Sequence, residues 1–164
     1  MFRPIERQLN RFETMSELSK KNDLVLETRI IKNEVIEANR YLSRLMEIAL
    51  ATKVFHVVRL KMMNAVPVAI ESSYFLYKAV EGIENIDLTN QSLYEVLNRQ
   101  FSCKLKERKE ELRIVRATEL ERDYLHVPLE SSLLMIKGAV RDRKGTILEY
   151  FENTVLPDLY AFKG

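Results

Sequence analysis

The sequence predicts an α+β domain built on a six-stranded, mainly antiparallel sheet carrying short helices. Three observations carry this. Residues 53–75 and 133–156 each read as a β-hairpin, with turns at Asn64-Ala65 and Lys144-Gly145. Each hairpin follows a short helical stretch bearing Tyr-Leu, Tyr41-Leu42 and then Tyr124-Leu125, and a strand-like run precedes each helix. Aligned with a one-residue gap at the turn, the two hairpins set Glu71 opposite Glu149, as if one strand–helix–hairpin unit were used twice. Two unrelated hairpins of similar length are the alternative reading.

Taken in order, residues 3–23 end in a short helix whose apolar face takes Phe12, Met15 and Leu18, with Asn22 as a left-handed stop. LVLETRIIK, residues 24–32, is rich in Leu, Val and Ile and reads as a strand. Residues 34–46 place Ile36, Tyr41, Leu42 and Leu45 at helical spacing. The first hairpin rises from Lys53 to Met63 and returns through Pro67 to Phe75. Residues 78–90 form a polar connection. SLYEVLNRQF follows as a helix, with Ser92 and Glu95 spaced for a capping box, in which each side chain satisfies a backbone N–H of the first turn. A strand begins near residue 108, TELERDYL gives a short helix, and the second hairpin follows it.

Composition narrows the function classes. A chain of 164 residues supports one domain that buries roughly 70% of its unfolded surface. Its 26 basic and 24 acidic residues are well mixed and leave a net charge of +2. That is not the footprint of a domain that grips nucleic acid by itself. The single cysteine, Cys103, excludes an intrachain disulfide, and with two histidines it leaves no Cys/His zinc cluster. Neither metal nor cofactor is expected. No apolar run reaches membrane-spanning length and the first residues are too polar for a signal peptide, so a cytoplasmic protein without a membrane partner is expected.

The candidate chemistry starts from two cations. Along VVRLKMM, Arg59 and Lys61 share a strand face with Val57, while Val58, Leu60 and Met62 point the other way. Either the cations lie on a solvated face, their stems covering the sheet, or they line an anion pocket. A buried cation without a partner costs several kcal/mol and needs a carboxylate or phosphate beside it. Glu71 is a rim charge or the cross-strand partner of Arg59, and Glu149 is its counterpart in the second hairpin. With both carboxylates present, such a pocket suits a polar metabolite carrying hydroxyl or amine groups plus an acidic group.

Ser92 caps a helix, which contributes about 1 kcal/mol. The same helix N-terminus offers free N–H groups to a phosphate or carboxylate, and Tyr94 offers a phenol. His56 alternates away from Arg59 and reads as packed. Cys103 lacks a base partner. LKERKEELR, residues 105–113, reads as a solvated, charge-alternating surface. The sequence has no phosphate-cradling Gly loop, zincin helix or nucleophile elbow.

Together these residues resemble a known family. VVRLKMMNAVPVAIESSYF is similar to the Arg-Leu-Arg…Pro-Val-Ala-Ile-Glu…Tyr block of the UTRA domain, the effector-binding half of GntR-type bacterial transcription regulators of the HutC branch. Ser92-Leu93-Tyr94, the stretch from Ala117 to Leu125, Gly145 with Glu149, and Asp158-Leu159-Tyr160-Ala161-Phe162 follow in the family's order, so the likeness runs from about Phe12 onward. The resemblance implies a chorismate lyase-like fold, a homodimer and a small anionic metabolite as effector, with sugar phosphates among the candidates. It implies that DNA is bound only by a separate N-terminal winged helix-turn-helix. Carried over, Arg59 and Lys61 take the acidic group with Ser92 and Tyr94 beside them, while Glu71 and Glu149 take hydroxyl or amino groups.

There are departures from the pattern. Lys61 stands where Arg is usual, which replaces a bidentate fork by a point charge. Asn64-Ala65 replaces the common Asp-Gly, and Val155 stands where sugar-phosphate sensors carry Tyr. Residues 1–11 read as a linker remnant and 12–164 as the effector domain, excised from its DNA reader or naturally lacking one. No catalytic residue is implied. The alternatives are a chorismate lyase-like enzyme acting on a small carboxylate, with Glu149 as general acid, and a dimerisation module without a ligand.

Overall fold

The structure, a computed structural model, describes residues 2–164. Its elements are β1 (Ile5–Gln8), α1 (Met15–Lys21), β2 (Leu26–Glu37), α2 (Arg40–Met46), β3 (Lys53–Met63), β4 (Val66–Leu76), α3 (Leu93–Gln100), β5 (Glu107–Arg116), α4 (Glu119–Leu125), β6 (Ser132–Arg141), β7 (Ile147–Val155) and β8 (Tyr160–Lys163). Six strands form one antiparallel sheet in the order β2-β3-β4-β7-β6-β5. The fold is the expected α+β one.

The strand order is that of one unit used twice. Each half runs strand, helix, hairpin, and the halves meet where β4 pairs with β7, Ser73 facing Phe151. Each helix crosses to the other half, α2 packing on β7 and α4 on β4. Both helices also end alike, with Glu47 and His126 in the left-handed region at φ 56° and 57°.

Alternation along the strands gives the sheet two faces. One carries α2 and α4. There Val58, Leu60, Met62 and Ile70 pack on Ala117 and Leu125, while Ala38, Leu42 and Met46 pack on Val54, Ile147 and Tyr150. The other face holds two apolar clusters separated by a polar belt. At one end Phe55, Val57 and Phe75 meet Val80, Ile83 and Leu88 of the β4–α3 connection and Leu93, Val96 and Leu97 of α3. At the other, Val68, Ala69 and Val155 meet Ile5, Met15, Leu18 and Leu159. The belt between these clusters is where the charged candidates fall.

Several local expectations are corrected. Residues 34–37 continue β2 and are not helical; a bulge between Ile30 and Lys32 shifts the register, so that the strand still pairs Glu37 with Lys53. Helix α2 starts only at Arg40, capped by Asn39 accepting from the Leu42 N–H at 2.9 Å. Asn22 is not the left-handed residue; Asp23 is, at φ 55°. Phe12 precedes α1, whose capping box is Thr14 with Glu17. The Ser92 side chain makes no capping hydrogen bond at α3. The segment read as linker carries β1, which pairs in parallel with β8, Arg7 opposite Phe162.

Candidate functional site

Arg59 and Lys61 point inward. They are 7% and 4% exposed and both line a cavity of about 250 Å³ in the polar belt. Glu71, directly across the β3–β4 ladder from Arg59, holds them. Arg59 Nη2 lies 3.1 Å and Lys61 Nζ 3.8 Å from the same oxygen, Glu71 Oε1. Lys61 Nζ also donates to Thr28 Oγ1 of β2 at 2.8 Å. Burial alone would raise the Glu71 pKa, but Arg59 first, then Lys61, Arg108 and Arg7, turn the balance and lower it. Lys61 is moved the other way from a lysine's ordinary behaviour. Burial, then the like charge of Arg59, bring it down from 10.5 to about 8 against the pull of Glu71.

Glu149 sits on the same face of β7, buried. Burial raises its pKa in spite of Arg108 and the hydrogen bonds from Tyr94 and Ser73. Tyr94, in the first turn of α3, donates to Glu149 Oε1 at 2.6 Å and accepts from Arg108 Nη1 at 2.8 Å. Burial and the neighbouring Glu149 push the phenol well above its ordinary value, so it stays a neutral donor. Ser92 and Leu93 bring the N-terminus of α3 to the cavity wall. All six candidates, Arg59, Lys61, Glu71, Ser92, Tyr94 and Glu149, therefore line one cavity.

Two polar atoms of the lining are buried without a hydrogen-bond partner, Arg59 Nε and Asn153 Oδ1. One is a donor on β3 and the other an acceptor on β7, the two strands that flank β4. A buried unmatched donor costs about 1–3 kcal/mol, which a bound polar group would recover.

Arg108 is the principal residue that sequence reasoning missed. It lay hidden in LKERKEELR, read as a solvated face. That reading is corrected at one position: Glu107, Lys109, Glu110, Glu111 and Arg113 are exposed, but Arg108 lines the cavity. The Arg108 guanidinium lies between the rings of Phe12 and Phe151, 3.9 Å from each centroid. It pairs with Glu110 at 3.0 Å, and Glu110 also holds Arg7 of β1 at 3.0 Å. Period-two alternation of charge in a strand was the available signal; which alternate side was buried was not. His56 lies on the opposite face, stacked on Tyr74 with its Nε2 3.0 Å from Ser72 Oγ. Cys103 is buried and its thiol is pushed up by burial.

The family model of the UTRA domain matches residues 21–161. The chain belongs to the UTRA family. Over 158 residues it is 24% identical to the HTH-type transcriptional repressor NagR of Bacillus subtilis (strain 168), covering 96% of the chain and 65% of that relative. Two solved structures share the UTRA domain's fold. PhnF from Mycobacterium smegmatis superposes with a TM-score of 0.86 at 14% identity, over 98% of this chain and 70% of that one. The C-terminal domain of the histidine utilization repressor from Pseudomonas syringae pv. tomato str. DC3000 gives 0.76 at 16%, over 85% and 97%. Among the described residues of this UTRA domain, no group of three or more His, Cys, Asp or Glu side chains is placed to hold a metal ion. None of their helices is long and apolar enough to cross a membrane.

Proposed function

We propose that this UTRA domain is the effector-sensing part of a GntR/HutC-type transcription regulator, binding a small anionic metabolite without transforming it. The observation that carries the reading is the buried Arg59, its Nε unmatched, sharing one carboxylate with Lys61 inside a cavity bounded by the N-terminus of α3. The anion's acid group sits against Arg59 and Lys61, with the first N–H groups of α3 and Ser92 completing its shell. Glu149, Tyr94 and the Asn153 carbonyl take hydroxyl or amino groups of the same ligand.

The kinship with the HTH-type transcriptional repressor NagR supports a regulatory partner domain that binds DNA, and a homodimer is the acting form in this reading. Occupancy then favours one arrangement of the pair and so one spacing of the DNA readers. A thermal-shift screen of sugar phosphates, amino acids and dicarboxylates tests this, since a ligand at a hundred times its Kd adds about 2.7 kcal/mol of stability. Arg59→Ala should then cost roughly 1.5–3 kcal/mol of affinity for the hit, measured by calorimetry. Undiminished binding by that variant would overturn the site, and turnover of the hit would overturn the non-enzymatic reading.

A further inference from the structure

Lys61 differs from the chain's surface lysines in what its nitrogen can do. Its side chain is 5% exposed, its Nζ is fixed by Thr28 and Glu71, and it faces a cavity sized for a small metabolite. Burial and Arg59 bring its pKa to about 8. At pH 7 roughly one molecule in ten then carries a free amine, against about one in three thousand for an unperturbed lysine. A desolvated amine beside another cation is the setting in which lysine becomes a nucleophile.

We infer that Lys61 captures its ligand covalently and reversibly, as an imine with an anionic metabolite that bears an aldehyde or ketone carbonyl. The inference rests on the anion-binding reading above and narrows its ligand class to phosphorylated or carboxylated carbonyl compounds. Neutral Nζ attacks the carbonyl carbon; the C–N bond forms and the π pair moves to oxygen. That oxygen takes up the proton the nitrogen releases, giving a carbinolamine. A further proton from solvent then lets water leave, and the nitrogen lone pair closes the C=N bond, leaving a protonated imine. No oxidant or reductant is consumed. The charge on nitrogen survives, so the contact with Glu71 is kept, and the remaining N–H still has Thr28 as acceptor.

Dihydroxyacetone phosphate and glyoxylate present the carbonyl on a phosphate and on a carboxylate; glycerol 3-phosphate lacks the carbonyl. The whole chain is incubated with each in sodium cyanoborohydride at pH 7, then digested and mapped by mass spectrometry. The expected result is a reduced adduct on Lys61 at least tenfold above the mean of the other lysines, suppressed by inorganic phosphate. Trapping at Lys61 should gain less between pH 7 and pH 10 than trapping at surface lysines does. Whichever probe gives the stronger adduct assigns the acid group. Lys61→Arg should gain equally in Tm from dihydroxyacetone phosphate and glycerol 3-phosphate. Labelling of Lys61 no stronger than elsewhere, with both phosphates raising the wild-type Tm equally, overturns the imine and leaves the anion site standing. No adduct and no Tm response to any of these anions overturns both.

Discussion

Replacing Lys61 by Met tests how the cavity carries its buried charge. The folded chain lowers the Lys61 pKa from 10.5 to about 8, so between those values the unfolded state binds more protons than the folded one. Stability contributed by this group therefore rises with pH across that window and is flat below it. At about 1.4 kcal/mol per tenfold change in proton affinity, the gain between pH 7 and pH 10 is about 2.5 kcal/mol. Urea unfolding followed by circular dichroism, in buffers free of phosphate and carboxylate, gives the stability of wild type and Lys61→Met at each pH. Other titrating groups are common to both proteins and cancel in the difference. Wild type should gain on the variant by about 2.5 kcal/mol over that range. A difference that stays level would mean that Lys61 titrates as a solvated lysine, and the inward geometry drawn from Glu71 and Thr28 would be wrong.

Four further substitutions separate structural from binding roles. Ser92→Ala should change stability by less than about 0.5 kcal/mol, because its hydroxyl caps nothing, whereas Thr14→Ala, which opens a formed capping box, should cost about 1 kcal/mol by the same urea titration. Arg108→Lys should be destabilising by roughly 2–3 kcal/mol in thermal or urea unfolding, since an ammonium cannot lie flat between Phe12 and Phe151 while bonding Tyr94 and Glu110. Ala65→Gly should stabilise by about 1 kcal/mol in the same measurement: Ala65 stands at φ 63° in the β3–β4 turn, where a Cβ is penalised.

The sheet was legible because its signals are local. Alternation in residues 53–75 marked both strands of the first hairpin, and apolar runs around Gly145 marked the second. The repeat was legible in the order strand, helix, hairpin, but not in its Tyr-Leu pairs: Tyr41-Leu42 lies in the first turn of α2, whereas Tyr124-Leu125 closes α4. What failed was whatever depended on distant neighbours. Residues 34–37 have helical spacing, yet β3 offers a continuous ladder to pair with, and tertiary pairing overrides a four-residue pattern. Ser92 and Glu95 have the spacing of a capping box, but at α3 the serine caps nothing and lies on the cavity wall. Arg108 could not be told from Arg113 by sequence, since both alternate with glutamates. Only the arrival of Phe12 from the N-terminal segment and Phe151 from β7 makes one of them a wall of the site.

The sign of the ligand follows from how charges are shared around the cavity. Two cations, Arg59 and Lys61, meet one carboxylate oxygen of Glu71, and two more, Arg7 and Arg108, meet the carboxylate of Glu110. Glu13 is matched outside this set by Lys21 at 3.4 Å. Glu149 faces the same cations, with burial raising its pKa and Tyr94 donating to its Oε1. Four cations thus face three carboxylates in a buried setting, an excess of positive charge that a bound anion relieves. That balance has a measurable consequence. An anion beside Lys61 raises its pKa again, so at pH 8 to 9 binding must draw protons from solution. Calorimetric binding enthalpies in buffers of different ionisation enthalpy should show that uptake at pH 8.5 and little of it at pH 7. Equal enthalpies across buffers at both pH values would place the anion away from Lys61.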